Sequence, residues 1–290
     1  MKTYVIPYDK PFNYDELFKF MSFRAIKGVE YIQDETYSRT FRLNGVSGYF
    51  SVGNDQNLSA LILKVAGLED DTLVAKIRMM FDLDTDFTMI NERFSQDPIL
   101  SRGMMDGHVP RLPMAFDSFE HMLRAILGQQ ITVKAATTLA GRVVEKVGIS
   151  TPDHYPTGLD YYFPTYEELL EVDLENIGIT TTRVNTIRTV LEALKTGAIH
   201  LSQDQTYEQL HSSLIQLKGI GDWTINYLAM RGLRIVDSFP AKDLGVIKAL
   251  TFHDKKPSHK EIIEMSKKWQ PFRAYASLCL WKFESLKSKP

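Results

Sequence analysis

Cysteine is nearly absent: Cys279 stands alone among 290 residues. One thiol excludes an internal disulfide and any four-cysteine zinc or iron–sulfur centre, so Cys279 is expected to pack as a small apolar side chain. Long hydrophobic runs are missing too. No stretch approaches the ~20 apolar residues that span a bilayer, and the opening MKTYVIPYDK lacks the apolar segment of a signal peptide. A cytoplasmic chain with no membrane partner is expected. Excess positive charge is also lacking, at a formal net charge of −2 and a pI of about 6.4. That argues against a protein that coats polyanions through bulk charge, while leaving room for a locally basic face. The seven histidines show no H-x-x-x-H spacing, and Walker, G-x-S-x-G and G-x-G-x-x-G loops are absent.

What is present is ample core material. A hydrophobic content of 44% over this length suits two or three subdomains. Residues 1–87 alternate or run β-branched and aromatic in YVIPY, VEYIQD, YSRTFRL, VSGYFSV and LSALILK, with Asn44-Gly45 as a hairpin turn, and carry two helical patterns, YDELFKFMSFR and TLVAKIRMMFDL. From 88 to 290 the pattern is helical. Asp117 with Glu120 and Thr165 with Glu168 predict capping boxes, and Gly148 a helix stop. The class expected is α+β: an N-terminal antiparallel sheet domain with helices, then an all-helical region.

Within that region the segment Leu217–Leu250 is unusual. Gly219 and Gly221 separate two helical runs, giving a helix-hairpin-helix over 206–233. Glycines there can take positive φ and leave the second helix's N-terminus open to an anion such as a nucleic-acid phosphate; a plain glycine C-cap before a new helix gives the same pattern. Downstream, in the loop and helix 237–250, Asp243 precedes LGVIKAL after a Phe-Pro break. It is suited to an N-cap or, if the chain returns to Trp223 and Tyr227, to a carboxylate beside an aromatic face. Gln129 and Gln130, adjacent amides ending an apolar helix, are expected at a surface groove.

Four ordered motifs, LKGIGDWT, FPAKDLGV, ILGQQITVKAA and WQPFRAYASLCLW, together resemble the helix-hairpin-helix DNA glycosylases, in their bacterial alkylation-repair branch of DNA-3-methyladenine glycosylase II type. The resemblance covers nearly the whole chain. It implies a monofunctional base excision repair enzyme that flips an alkylated purine out of damaged double-stranded DNA and hydrolyses its N-glycosidic bond, acting as a monomer at the nucleoid.

By resemblance the catalytic carboxylate is Asp243, ahead of Asp222 and Asp237. The base pocket is Trp223, Tyr227, Trp281 and Phe20, with Arg24 nearby. Contacts to DNA fall on Gly219, Ile220, Gly221, Thr224, Gln129 and Gln130, the last as wedge, and Thr180 to Thr182 with Arg183 resemble a second phosphate turn. The backbone carbonyls of Ile215, Leu217 and Gly219 are positioned for a Na or K ion, with no other cofactor and no iron–sulfur cluster. Trp223 occupies the position of the lyase lysine of bifunctional relatives. A cationic base is expected to stack on Trp223 and Trp281. Leu244 and Lys282 stand where a well-known relative has tyrosines, which leaves lesion range open. Two other readings remain: a glycosylase for oxidised or deaminated bases, and a non-catalytic module that binds damaged DNA.

Overall fold

A computed structural model describes residues 1–67 and 71–287. The chain begins with β1 (Lys2–Pro7) and α1 (Tyr14–Ser22), followed by β2 (Glu30–Gln33), β3 (Thr36–Leu43), β4 (Val46–Asp55), β5 (Ala60–Ala66) and α2 (Thr72–Met80). All five strands pair antiparallel in the order β1-β5-β4-β3-β2. The β3–β4 turn is Asn44-Gly45, both at positive φ, the combination whose twist matches a two-residue hairpin. One sheet face packs on α1 and α2 through Tyr14, Leu17, Leu73 and Ile77, all buried.

The remainder is helical: α3 (Thr88–Ser95), α4 (Ser118–Leu127), α5 (Val133–Val147), α6 (Tyr166–Leu170), α7 (Thr181–Lys195), α8 (Tyr207–Leu214), α9 (Asp222–Gly232), α10 (Leu244–Ala249), α11 (His259–Ser266) and α12 (Arg273–Lys287). The Thr165–Glu168 capping box forms in full, and Gly148 ends α5 in the left-handed region. Asp117 caps α4, but Glu120 does not close the box. Its carboxylate instead pairs with Arg39 of β3 and, at 3.2 Å, with Arg124. Glu30 completes this buried cluster, 3.3 Å from Arg39 and 3.4 Å from Arg124. The sheet is thereby joined to α4, which ends at Leu127 two residues before Gln129.

Two cores divide the helical region. One lies among α4, α5, α7 and α8, the other among α3, α10, α11 and α12. Helix α9 serves both, giving Ile225, Leu228 and Ala229 to the first and Met230 to the second. Its remaining stripe, Trp223, Tyr227 and Arg231, recurs every four residues and therefore shares one face. That face lines a cavity. Among the described residues no helix is long and apolar enough to cross a membrane.

Candidate nucleic-acid interface and base pocket

After α8 the chain turns back through Gly219, whose φ of +92° favours glycine. A Cβ there would meet Thr186 Oγ1 at 2.1 Å, so the turn presses against α7 as well. Gly221 differs from expectation. It is extended, at φ −125°, and serves as N-cap of α9 without a side-chain hydrogen bond. The first-turn N–H groups of a helix have no intrahelical acceptor; here the N-cap makes no side-chain hydrogen bond, and among the described residues nothing beyond the chain neighbours lies within 4 Å of the place a Gly221 Cβ would occupy. The result is an exposed donor notch.

Two residues expected to touch DNA do not face outward. Ile220 is buried and its N–H already donates to the Leu217 carbonyl. Thr224 is 2% exposed, and its hydroxyl accepts from Gln129 Nε2 at 3.1 Å. Gln129 is itself committed inward, since Nε2 also donates to the Gly219 carbonyl at 3.0 Å and its own carbonyl accepts from Arg183. Arg183 thus fastens this loop as well as bordering the Thr180–Thr182 turn. Gln130 is the outward residue, exposed at φ +59° beside the exposed Ile131 and Val133.

Beyond α9 the Phe239-Pro240 segment bends back. Asn226 ties it down, accepting from Phe239 N at 2.9 Å, and the Asp243 N–H donates to the Pro240 carbonyl at 2.8 Å. At Asp243 both sequence readings hold together. Oδ1 accepts from the Gly245 and Val246 N–H groups at 2.8 and 3.1 Å, capping α10, and from Trp281 Nε1 at 2.7 Å. Oδ2 accepts from Trp223 Nε1 at 2.8 Å. Gly245 permits this arrangement, because a Cβ would come within 2.7 Å of the Trp281 ring. The rival carboxylates are occupied elsewhere. Asp237 holds Arg273 in two 2.8 Å bonds, and Asp222 holds Lys242 at 2.6 Å and His211 at 3.0 Å. Lys242, then His211, keep the Asp222 carboxyl below the usual range.

Asp243, Trp223, Tyr227, Trp281 and Phe20 all line one cavity of about 510 Å³, a volume suited to a small aromatic ligand. The aromatic side chains of the wall already have neighbours. Tyr227 stacks on Trp223 at 5.1 Å and 15°. The Arg231 guanidinium lies 4.3 Å from the Phe20 ring centre and 5.7 Å from that of Trp281, and Arg24 covers Phe20 at 3.7 Å. Burial pulls the Arg231 guanidinium down to about 10, still charged at neutral pH. His121, also in the wall, is pulled by burial to about 3 and contacts the Tyr227 carbonyl at 3.2 Å. Lys282 lines the cavity and pairs with Glu16 at 2.8 Å, whereas Leu244 is exposed. Tyr275 belongs to the core. Sequence reasoning missed Arg231 and His121. The signal for Arg231 was its place four residues beyond Tyr227, a charge inside an otherwise apolar helix.

A helix-hairpin-helix, an aromatic pocket built on a carboxylate and an appended antiparallel sheet make this a DNA-repair type of architecture. Residues 3–117 match the AlkA N-terminal domain, and residues 123–271 match the HhH-GPD superfamily base excision DNA repair protein family. The chain belongs to the HhH-GPD superfamily of base excision DNA repair proteins. It is 31% identical over 277 residues to the probable bifunctional transcriptional activator/DNA repair enzyme AlkA of Mycobacterium tuberculosis, a match covering 95% of this chain but 56% of that protein. It is 29% identical to DNA-3-methyladenine glycosylase 2 of Escherichia coli, over 97% of both chains. Among solved structures, the fold is similar to 3-methyladenine DNA glycosylase from Archaeoglobus fulgidus, with a TM-score of 0.78, 21% identity and full coverage of both chains.

Proposed function

We propose that this chain is a monofunctional DNA glycosylase that flips an alkylated purine out of duplex DNA and hydrolyses its N-glycosidic bond. The observation that carries the reading is Asp243, whose carboxylate is held by two indole N–H groups at the wall of a cavity that takes one base. An alkylated purine is already a good leaving group, so the step needs little help from an acid. It needs a fixed negative charge beside the cationic sugar and an acceptor to orient or deprotonate water. Among the described residues Oδ2 accepts one hydrogen bond against three for Oδ1, which leaves Oδ2 a lone pair for that role.

The donor notch at Gly221 would take a strand phosphate through backbone N–H groups, a mode that works on a chain with net charge −2. Gln130, presented by the fastened Gln129, would fill the gap left by the extruded nucleotide. A monovalent cation at the hairpin would be held by the Ile215, Leu217 and Gly219 carbonyls, of which the last two each accept one hydrogen bond and keep a second lone pair, and it would add charge to the phosphate grip. Schiff-base chemistry has no lysine at position 223, and Lys282 in the pocket wall is ion-paired, which favours an intact abasic product. The protein would act on DNA as a monomer.

The test is release of 3-methyladenine from methylated duplex DNA by wild type and Asp243→Asn. The variant should lose on the order of 10²–10³ in rate while its affinity for abasic DNA changes by only a few-fold. Wild type without base release, or a variant that loses binding and rate together, would sink the reading.

A further inference from the structure

Two neighbours in the first turn of α9 reach two neighbours in the loop before α10. Trp223 Nε1 donates to Asp243 at 2.8 Å, and Asp222, beside the Gly221 notch, accepts from Lys242 Nζ at 2.6 Å. Residues 222–223 and 242–243 are thus joined side by side. Asn226 adds a tie one turn on, accepting from Phe239 N and donating to the Asp222 carbonyl, both at 2.9 Å. On its other side the Asp222 carboxylate meets His211 of α8 at 3.0 Å, so the same group also holds the first helix of the hairpin.

For a phosphate grip, a carboxylate at that position is unfavourable. It suits the dipole of α9, yet it stands beside the N–H groups left for the strand and repels a phosphate there. Lys242 answers the charge. With the lysine side chain 56% and the aspartate 38% exposed, the pair is well solvated in the free protein and contributes little to folding. A duplex seated on the notch would cover it and strengthen the attraction.

We infer that Asp222 and Lys242 are positioning residues, whose ion pair straps the loop carrying Asp243 to the turn that grips the strand, with some loss of affinity. The span from the gripped phosphate to Asp243 decides where the sugar of the extruded nucleotide lies relative to the carboxylate, and a small misplacement of a reacting group lowers the rate steeply. The strap keeps grip and chemistry in register. This inference rests on the glycosylase reading and adds two residues to that same site.

The test compares single-turnover release of 3-methyladenine from methylated duplex with affinity for abasic duplex. Asp222→Asn removes the repelling charge and weakens the strap, so it should bind roughly threefold tighter and release base about five- to tenfold more slowly. Lys242→Met should slow release by a similar factor and bind less tightly, whereas Lys242→Arg should stay within about twofold of wild type in rate. Reversing the pair, Asp222→Lys with Lys242→Asp, should bring the rate back to within about twofold of wild type. Thermal melts establish that each variant is folded. Asn and Met variants that release base at the wild-type rate overturn the strap, as does a folded reversed pair that remains as slow as they are, or Asp222→Asn that loses rate and affinity together. Wild type that releases no base overturns the glycosylase reading itself.

Discussion

Gln129 Nε2 donates to the Gly219 carbonyl across 3.0 Å, linking the end of α4 to the hairpin 90 residues later. The same amide reaches Thr224 on α9, so the segment that presents Gln130 and the notch that would grip phosphate move as one body. An adjacent amide pair thereby splits its labour: one glutamine ties the two loops together and the other faces outward.

Gln129→Ala should remove both bonds and lower stability by about 1–2 kcal/mol. Thr224→Val should cost less, because the bond to Gly219 survives. Urea unfolding compared with duplex affinity checks the pair; equal losses of affinity in the two variants would argue against coupling through Gly219.

The two hairpin glycines should respond differently. Gly219→Ala combines positive φ with a Cβ placed 2.1 Å from Thr186 Oγ1, and is expected to cost on the order of 2 kcal/mol. Gly221→Ala meets nothing beyond its chain neighbours within 4 Å among the described residues and should leave the melting temperature nearly unchanged. Its methyl group nevertheless occupies the approach to the notch, so duplex affinity should fall several-fold. Thermal melts and binding isotherms would separate fold from contact.

Glu120→Ala leaves Arg39 and Arg124 facing Glu30 alone in a buried site. Breaking a buried charge cluster by removing one member typically costs about 3–5 kcal/mol. The loss should appear in urea unfolding, and Glu120→Gln should recover part of it.

Acid sensitivity should arise in part from His121. The unfolded chain takes up a proton at this residue near pH 6.5, while the folded chain does so only near 3 because burial disfavours the imidazolium. The unfolded state therefore binds more protons inside that window, and stability is lost as pH falls from about 6.5 toward 3. At pH 5 the contribution is about 2 kcal/mol. His121→Gln should reduce the difference between urea midpoints at pH 7.5 and pH 5, and an undiminished difference would show that other groups carry it.

Local signals in the sequence were strong enough to place the sheet, the Asn44-Gly45 turn, the hairpin and the aspartate that starts α10, because each depends on neighbours only a few positions away. The Phe-Pro break suggested that Asp243 returns to the Trp223 and Tyr227 face, whereas the place of Trp281 opposite them followed only from resemblance. Periodicity assigns a face to a helix but not the element opposite it. Glu120 shows the limit most clearly: a glutamate three residues after an N-cap aspartate predicts a capping box, yet Arg39, 81 positions away, draws its carboxylate elsewhere. Gly221 was read as a positive-φ residue, whereas what its position requires is an empty space beside the backbone.

Of the three tryptophans, Trp269 is fully buried and donates to Asp97 at 2.9 Å, while Trp223 and Trp281 both donate to Asp243. The protein is therefore its own optical reporter: two of its three emitters share a single acceptor at the cavity wall, and the third supplies a steady background against which ligand entry can be followed without a label.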